Sequence, residues 1–261
     1  MLGAIIGDIA GSRFEWNNIK TKDFELLSFK CFVTDDSIMS LAVAKAILDC
    51  KGDYTDLSQK TIRAMQKVGR PYPYCGYGSK FADWLYSDTP TPYNSLGNGA
   101  AMRVSACGFA AKNIEEAKEL SYKVTCVTHN HPEGLKGAES TAVAVFLARN
   151  GYTIPEIKDY IDDNYYKMDF SLDSIRNSYS YDISCQGTVP PAIMAFLESN
   201  SFEDAIRNAV SIGGDSDTLA AITGAIAEAY YGIPNNIKNR SLIFLDKNLS
   251  TILQNFEHKF G

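Results

Sequence analysis

The chain has 261 residues, 45% hydrophobic and 21% charged, the balance of a globular protein rather than a disordered one. Its 31 acidic residues outnumber its 25 Lys and Arg, for a net charge of −6 and a pI near 5.2, which excludes a general nucleic-acid surface, since that needs a basic face toward phosphates. No apolar run reaches the ~18 residues of a membrane span, and the six cysteines form no CxxC pair, so the expectation is a cytoplasmic monomer with reduced thiols and no membrane partner.

The opening stretch MLGAIIGDIAG has no basic n-region and carries Asp8 among apolar residues, so it reads as a helix and not as a signal peptide. Leu2, Ile5, Ile6 and Ile9 follow helical spacing. Gly3, Gly7 and Gly11 fall four apart on another face, a smooth stripe where a second backbone can come close, at a cost in helix propensity. Glu15 follows in a loop with Arg13, Phe14 and Trp16. Periodicity then predicts helices over 37–49, 115–127, 133–149, 189–198, 202–212 and 218–230, with Pro190 and Pro191 suited to a first turn. VSACGFA, after the glycine-rich LGNGAAMR, can continue as a helix. Residues 68–98 hold four prolines and several tyrosines and predict irregular structure. Residues 152–184 are polar and Tyr-rich, with helical character only at their ends. Alternating strand patterns are scarce, and the whole predicts an all-α fold, one multi-helix domain over residues 1–261.

Two of these helices begin alike. Thr34, Asp35 and Asp36 precede the helix at 37–49; Asp215, Ser216, Asp217 and Thr218 stand at the head of the helix at 218–230, behind a glycine pair. N-capping explains one such residue per cluster, at ~1 kcal/mol, and leaves a second Asp over in each. Four carboxylates at one point would repel by about 3 kcal/mol per pair at ~5 Å and an effective dielectric near 20. Divalent cations that favour hard oxygen ligands, Mg²⁺ or Mn²⁺, would remove that cost. On spacing alone, the caps and the two-cation site stand side by side. Glu15 is a third acidic candidate or a solvated loop residue. Gly97-Asn98-Gly99 is an ordinary turn or a turn whose N–H groups, ahead of a helix, face an anion. His129 and His131 lie in a loop with too few further ligands for zinc; they contact a ligand or simply lead into a helix. Tyr72, Tyr74, Tyr77, Phe81 and Trp84 stack on a nucleobase or on one another.

Taken in order, GAIIGDIAGSRFE, TDDS, GNGAAMR, THNHPEGLKGA, GTVPPAI and GGDSDTLAAITGAIAEAYYG resemble the ADP-ribosylglycohydrolase family, in particular its dinitrogenase reductase activating glycohydrolase type. The resemblance implies a compact orthogonal helical bundle with a dinuclear Mg²⁺ or Mn²⁺ site. It assigns Thr34, Asp35 and Asp36 to one half of the metal shell and Asp215, Asp217 and Thr218 to the other. Catalytic roles fall to Glu15, Asp35 and Asp36, with Glu15 as a mobile acid/base or gating group. Ser95, Leu96, Gly97, Asn98 and Gly99 would wrap the diphosphate and ribose of ADP-ribose; Met102, His129 and Ile183 would also contact the substrate. The implied reaction is hydrolysis of the N- or O-glycosidic bond at C1″ of an ADP-ribosylated protein, nucleic acid or small conjugate. The alternatives are a non-catalytic ADP-ribose binder and a dinuclear-metal nucleotide phosphoesterase.

Overall fold

A computed structural model describes residues 1–261. The chain forms fourteen α-helices and no sheet: α1 (Leu2–Gly11), α2 (Asp35–Cys50), α3 (Leu57–Gly69), α4 (Ser79–Tyr86), α5 (Ser105–Ala110), α6 (Ile114–Thr125), α7 (Pro132–Arg149), α8 (Ile154–Asn164), α9 (Leu172–Ile175), α10 (Cys185–Leu197), α11 (Phe202–Ser211), α12 (Ser216–Tyr231), α13 (Asn235–Ser241) and α14 (Lys247–Phe260). None is long and apolar enough to cross a membrane.

The glycine stripe of α1 sets the centre. A Cβ added to Gly3, Gly7 or Gly11 would collide with the backbone at Gly224, Ala220 or Ser216 respectively. The partners run backward along α12 as the glycines run forward along α1, so the two helices cross antiparallel at backbone contact. Small residues face each other on both sides, which is what permits so close an approach. Residues 216–227 of α12 are all buried, with α1, α7, α10 and α11 packed around it. The apolar side chains form one continuous core.

Most predicted helices are present within a residue or two, and three differences are informative. First, α10 starts at Cys185, capped by Ser184, whose hydroxyl accepts from Gly187 N (3.2 Å), so Pro190 and Pro191 lie inside the helix and not in its first turn. Pro191 has no N–H to give the carbonyl four residues back. The Tyr179 hydroxyl donates to that carbonyl, Gly187 O (2.9 Å), and replaces the missing bond. Second, α3 and α14 went unpredicted, although Leu57, Thr61, Ala64, Met65 and Val68 line the buried side of one, and Leu249, Leu253 and Phe256 that of the other. Third, the 68–98 region is not wholly irregular: it takes in the end of α3, and α4 buries Phe81, Trp84 and Leu85 at helical spacing. In 152–184 only the first end is a full helix, fixed by a Thr153/Glu156 capping box; residues 176–184 are not helical.

The α1–α12 contact predicts a steep local penalty. Gly7→Ala is expected to cost about 3 kcal/mol or more, since the clash is with backbone and cannot be relieved by a rotamer. Gly78→Ala, where nothing lies within 4 Å of the added carbon, is expected to cost under about 1 kcal/mol. Urea unfolding of both variants checks this; equal, small losses would contradict the close crossing.

Candidate functional site

The site begins with an acid inside α1. Asp8 is fully buried and takes four hydrogen bonds from the head of α2. Thr34 gives its backbone N (3.1 Å) and its hydroxyl (2.7 Å); Ser37 gives its backbone N (3.1 Å) and its hydroxyl. Two of these donors are backbone N–H groups at a helix start, which have no intrahelical partner. Burial pushes the Asp8 carboxyl up to about 6, against the lowering effect of these hydrogen bonds. Asp8 thus holds α2 to α1. Its one sequence signal was a carboxylate in an otherwise apolar helix.

The two acid clusters meet. The Thr218 hydroxyl donates to Asp36 Oδ2 (3.3 Å), and the Thr34 hydroxyl lies 3.4 Å from the same oxygen. Carboxylate oxygens of Glu15, Asp215 and Asp217 lie within 4.8 Å of one another. Gly213 (φ +71°) and Gly214 (φ +76°) make the left-handed turn that delivers α12 to this point. Asn18 grips that turn: it accepts from Gly214 N (2.7 Å) and donates to Gly214 O (2.9 Å) and Glu15 O (3.0 Å). The loop carrying Glu15 is therefore tied to the loop carrying Asp215.

Simple capping does not account for the second cluster. Asp215 sits at the N-cap position of α12 but makes no capping hydrogen bond. It accepts instead from Asn98 Nδ2 (2.6 Å), while the Ser216 hydroxyl closes on Gly214 O (3.3 Å) as a turn residue. None of Glu15, Asp35, Asp36, Asp215 or Asp217 forms an ion pair. Burial, then neighbouring carboxylates, push Asp36 and Asp217 well above the usual range and Asp35 up to about 8. Burial likewise raises Asp215 and Glu15, the latter with help from Asp215. Asp36 Oδ1 is buried with no hydrogen-bond partner. An all-oxygen donor set with excess negative charge and an orphaned carboxylate oxygen fits hard divalent cations. Asp35, Asp36, Asp215, Asp217 and Thr218 line the open side and could hold them, with Glu15 beside. Thr34 points its hydroxyl at Asp8 and does not line the cavity.

These acids form one end of a cavity of roughly 580 Å³. Ser95, Gly97, Asn98, Gly99, Met102, His129 and Ile183 also line it; Leu96 does not, its carbonyl accepting from Cys185 N (2.9 Å). Asn98 joins the two groups, since its amide donates both to Asp215 and to Thr188 Oγ1 (3.1 Å). The expected anion-facing glycine turn is only partly realised. Gly97 N donates to Ser95 Oγ (3.1 Å), Asn98 N donates to Ile183 O (2.7 Å), and a 3-10 turn follows rather than an α-helix. Those two N–H groups are committed within the protein, and no helix start adds its partial charge.

Several cavity residues were missed or only half read. Trp16 stacks on Tyr181 (centroids 5.1 Å apart), whose hydroxyl donates to Glu15 Oε1 (3.2 Å). Arg103 lies buried at the cavity wall, in a motif quoted for its glycines. Of the expected aromatic platform only Phe81 lines the cavity; Tyr77, Phe81 and Trp84 pack on one another. Tyr72 donates to Asp246 (2.5 Å), and Tyr74 stands in solvent. His131 caps α7 through Nδ1, accepting from Glu133 N (3.1 Å), and is a helix-entry residue.

Comparison with known proteins adds four findings. Residues 1–247 match the family described as ADP-ribosylglycohydrolase. The chain is 26% identical to ADP-ribosylhydrolase ARH3 of Xenopus tropicalis, covering 91% of this chain and 88% of that protein. It is 27% identical to ADP-ribosylarginine hydrolase Tri1 of Pseudomonas putida, covering 89% and 70%. A solved ADP-ribosylglycohydrolase-related protein complex superposes with a TM-score of 0.70 at 22% identity, over 100% of this chain and 96% of that one, which shows the same fold.

The crowded acids predict an inverted pH response in metal-free protein. The folded state holds protons on acids raised toward about 8 (Asp35), whereas unfolded carboxylates release them near ~4. The folded chain then binds more protons than the unfolded one, so stability is greatest below about pH 4 as far as these groups are concerned and falls as pH rises toward 8. Urea midpoints in EDTA are expected to drop between pH 5.5 and 8, and Asp36→Asn is expected to flatten the slope. A midpoint that rises over this interval in both proteins would contradict the electrostatics described.

Proposed function

The chain belongs to the ADP-ribosylglycohydrolase family, and we propose that it is a metal-dependent ADP-ribosyl hydrolase, cleaving the glycosidic bond at C1″ of an ADP-ribosylated substrate and releasing ADP-ribose. The observation that carries this reading is the junction of the two distant acid clusters, Thr218 Oγ1 to Asp36 Oδ2 at 3.3 Å, at one end of the cavity. The family relatives, whose names record ADP-ribosylhydrolase and ADP-ribosylarginine hydrolase activities, support it.

The carboxylates supply a place for two divalent cations, Mg²⁺ or Mn²⁺, which when bound would orient ribose hydroxyls and activate water. The remaining work belongs to side chains. The acids supply negative charge where an oxocarbenium-like transition state develops positive charge. Glu15, at the cavity edge and within reach of Asp215 and Asp217, is placed to move a proton or position water. Its hydrogen bond from Tyr181, on whose ring Trp16 stacks, fixes it at the cavity edge. Asn98 holds Asp215 while its loop takes the diphosphate and ribose.

Incubation with ADP-ribosyl-arginine and ADP-ribosyl-serine peptides, with Mg²⁺, Mn²⁺ or EDTA, tests the proposal. Metal-dependent release of free ADP-ribose is expected. Tight ADP-ribose binding without turnover would make the chain a binder, and release of AMP a phosphoesterase. Asp36→Ala and Asp215→Ala are each expected to lower kcat/KM by about 10³-fold or more, ~4 kcal/mol of transition-state stabilisation. Glu15→Gln is expected to lower kcat by about 10²–10⁴-fold, the range of general acid–base catalysis, with little change in ADP-ribose affinity.

A further inference from the structure

Arg103 is fully shielded from solvent and pairs with no carboxylate. Its Nε and Nη1 have no hydrogen-bond partner at all. Only Nη2 is engaged: it donates to Thr128 Oγ1 (2.5 Å) and lies 3.3 Å from His129 Nδ1. Phe81 covers the guanidinium, 5.5 Å from ring centroid to Cζ. A buried cation kept without a counter-charge calls for a reason, because taking it out of water is costly.

The geometry around His129 supplies one. Arginine donates hydrogen bonds and never accepts them. The Thr128 hydroxyl, already accepting from Nη2, stands 2.7 Å from His129 Nδ1 and 3.4 Å from Thr125 O. A proton on Nδ1 would face the Arg103 donor and would force the Thr128 proton into its longer contact. With Nδ1 bare, its one lone pair accepts from the Thr128 hydroxyl at 2.7 Å, and the Arg103 N–H at 3.3 Å faces that lone pair instead of a proton. Burial and the adjacent guanidinium hold the ring well below the usual histidine range, so it is neutral and carries one proton. That proton belongs on Nε2. This nitrogen is the one turned to the ligand loop: a Cβ on Gly99 would sit 3.4 Å from it, and one on Gly97 3.6 Å.

We propose that Arg103, together with Thr128, is a positioning residue that holds His129 as its neutral Nε2–H tautomer, presenting a fixed N–H donor to the ligand in the cavity. The donor matters because the amides of Gly97 and Asn98 are already used inside the protein. The ligand, an oxygen-rich nucleoside diphosphate sugar, rests on the function proposed above; the tautomer does not.

The test is long-range ¹H–¹⁵N correlation on ¹⁵N-histidine-labelled protein at pH 7.5, without metal or ligand, with His129→Gln to assign the ring. Wild type is expected to show one protonated nitrogen, Nε2, and a bare Nδ1. Arg103→Met, which keeps the volume and removes the donor, is expected to show a mixture of tautomers, since no N–H then faces a proton on Nδ1. Its ADP-ribose Kd by calorimetry and its KM are expected to rise about two- to threefold, the reciprocal of the Nε2–H fraction left in such a mixture, with kcat changed less than about 1.5-fold. An Nδ1–H ring or an imidazolium in wild type overturns the proposal even if the variant does not fold. A pure Nε2–H ring in Arg103→Met also overturns it. A wild type with the expected tautomer that fails to bind ADP-ribose overturns the ligand and leaves the positioning role standing.

Discussion

The backbone contact between α1 and α12 is the constraint on which the site rests. Three glycines on one helix meet Ser216, Ala220 and Gly224 on the other. Because the crossing is antiparallel, the C-terminal end of α1 lies against the N-terminal end of α12, which places Glu15 beside Asp215 and Asp217. Asp8, on the same α1, takes hold of the start of α2 and so fixes where Asp35 and Asp36 stand. One short helix thereby aligns both acid clusters. A methyl group added at Gly3, Gly7 or Gly11 would collide with the α12 backbone and push it away.

The second organising feature is an uneven distribution of charge within one cavity. At one end, carboxylates crowd without cationic partners, an arrangement that favours divalent cations. At the wall nearby, a guanidinium is buried without an anionic partner. Each is costly taken alone. Under the function proposed above, together they would let an acidic protein receive a ligand that is anionic in its diphosphate and reacts through a positively charged transition state. The net charge of −6 says nothing of this arrangement, which depends on a handful of buried groups.

The sequence carried the helices where a stripe of apolar residues repeats, as in 115–127 and 202–212. It also carried the two acid clusters, because their supply of Asp exceeded what a cap can use. The glycine stripe of α1 was legible as a contact surface, though not its partner. What escaped depends on distant neighbours. Pro190 and Pro191 looked like a helix start because the rule for proline is local, while the Tyr179 hydroxyl that makes them tolerable inside α10 comes from outside the helix. Gly97 and Asn98 looked ready to bind an anion because the acceptors that occupy their amides, Ser95 Oγ and Ile183 O, are not fixed by the motif. Asp8 and Arg103 were hidden for a similar reason: each works through a helix or loop far away in sequence.

Asn98 has a consequence for how the cavity fills. Its single side-chain amide bonds both Asp215, among the carboxylates, and Thr188, in the first turn of α10. Under the function proposed above, a cation drawing on Asp215 and a nucleotide drawing on the 95–99 loop would act on one shared group. Their two equilibria would then be linked, and linkage is reciprocal: whatever factor the ion imposes on nucleotide affinity, the nucleotide imposes on affinity for the ion. Loading of the cavity would then be a single thermodynamic cycle, in which the affinity of each occupant depends on whether the other is bound.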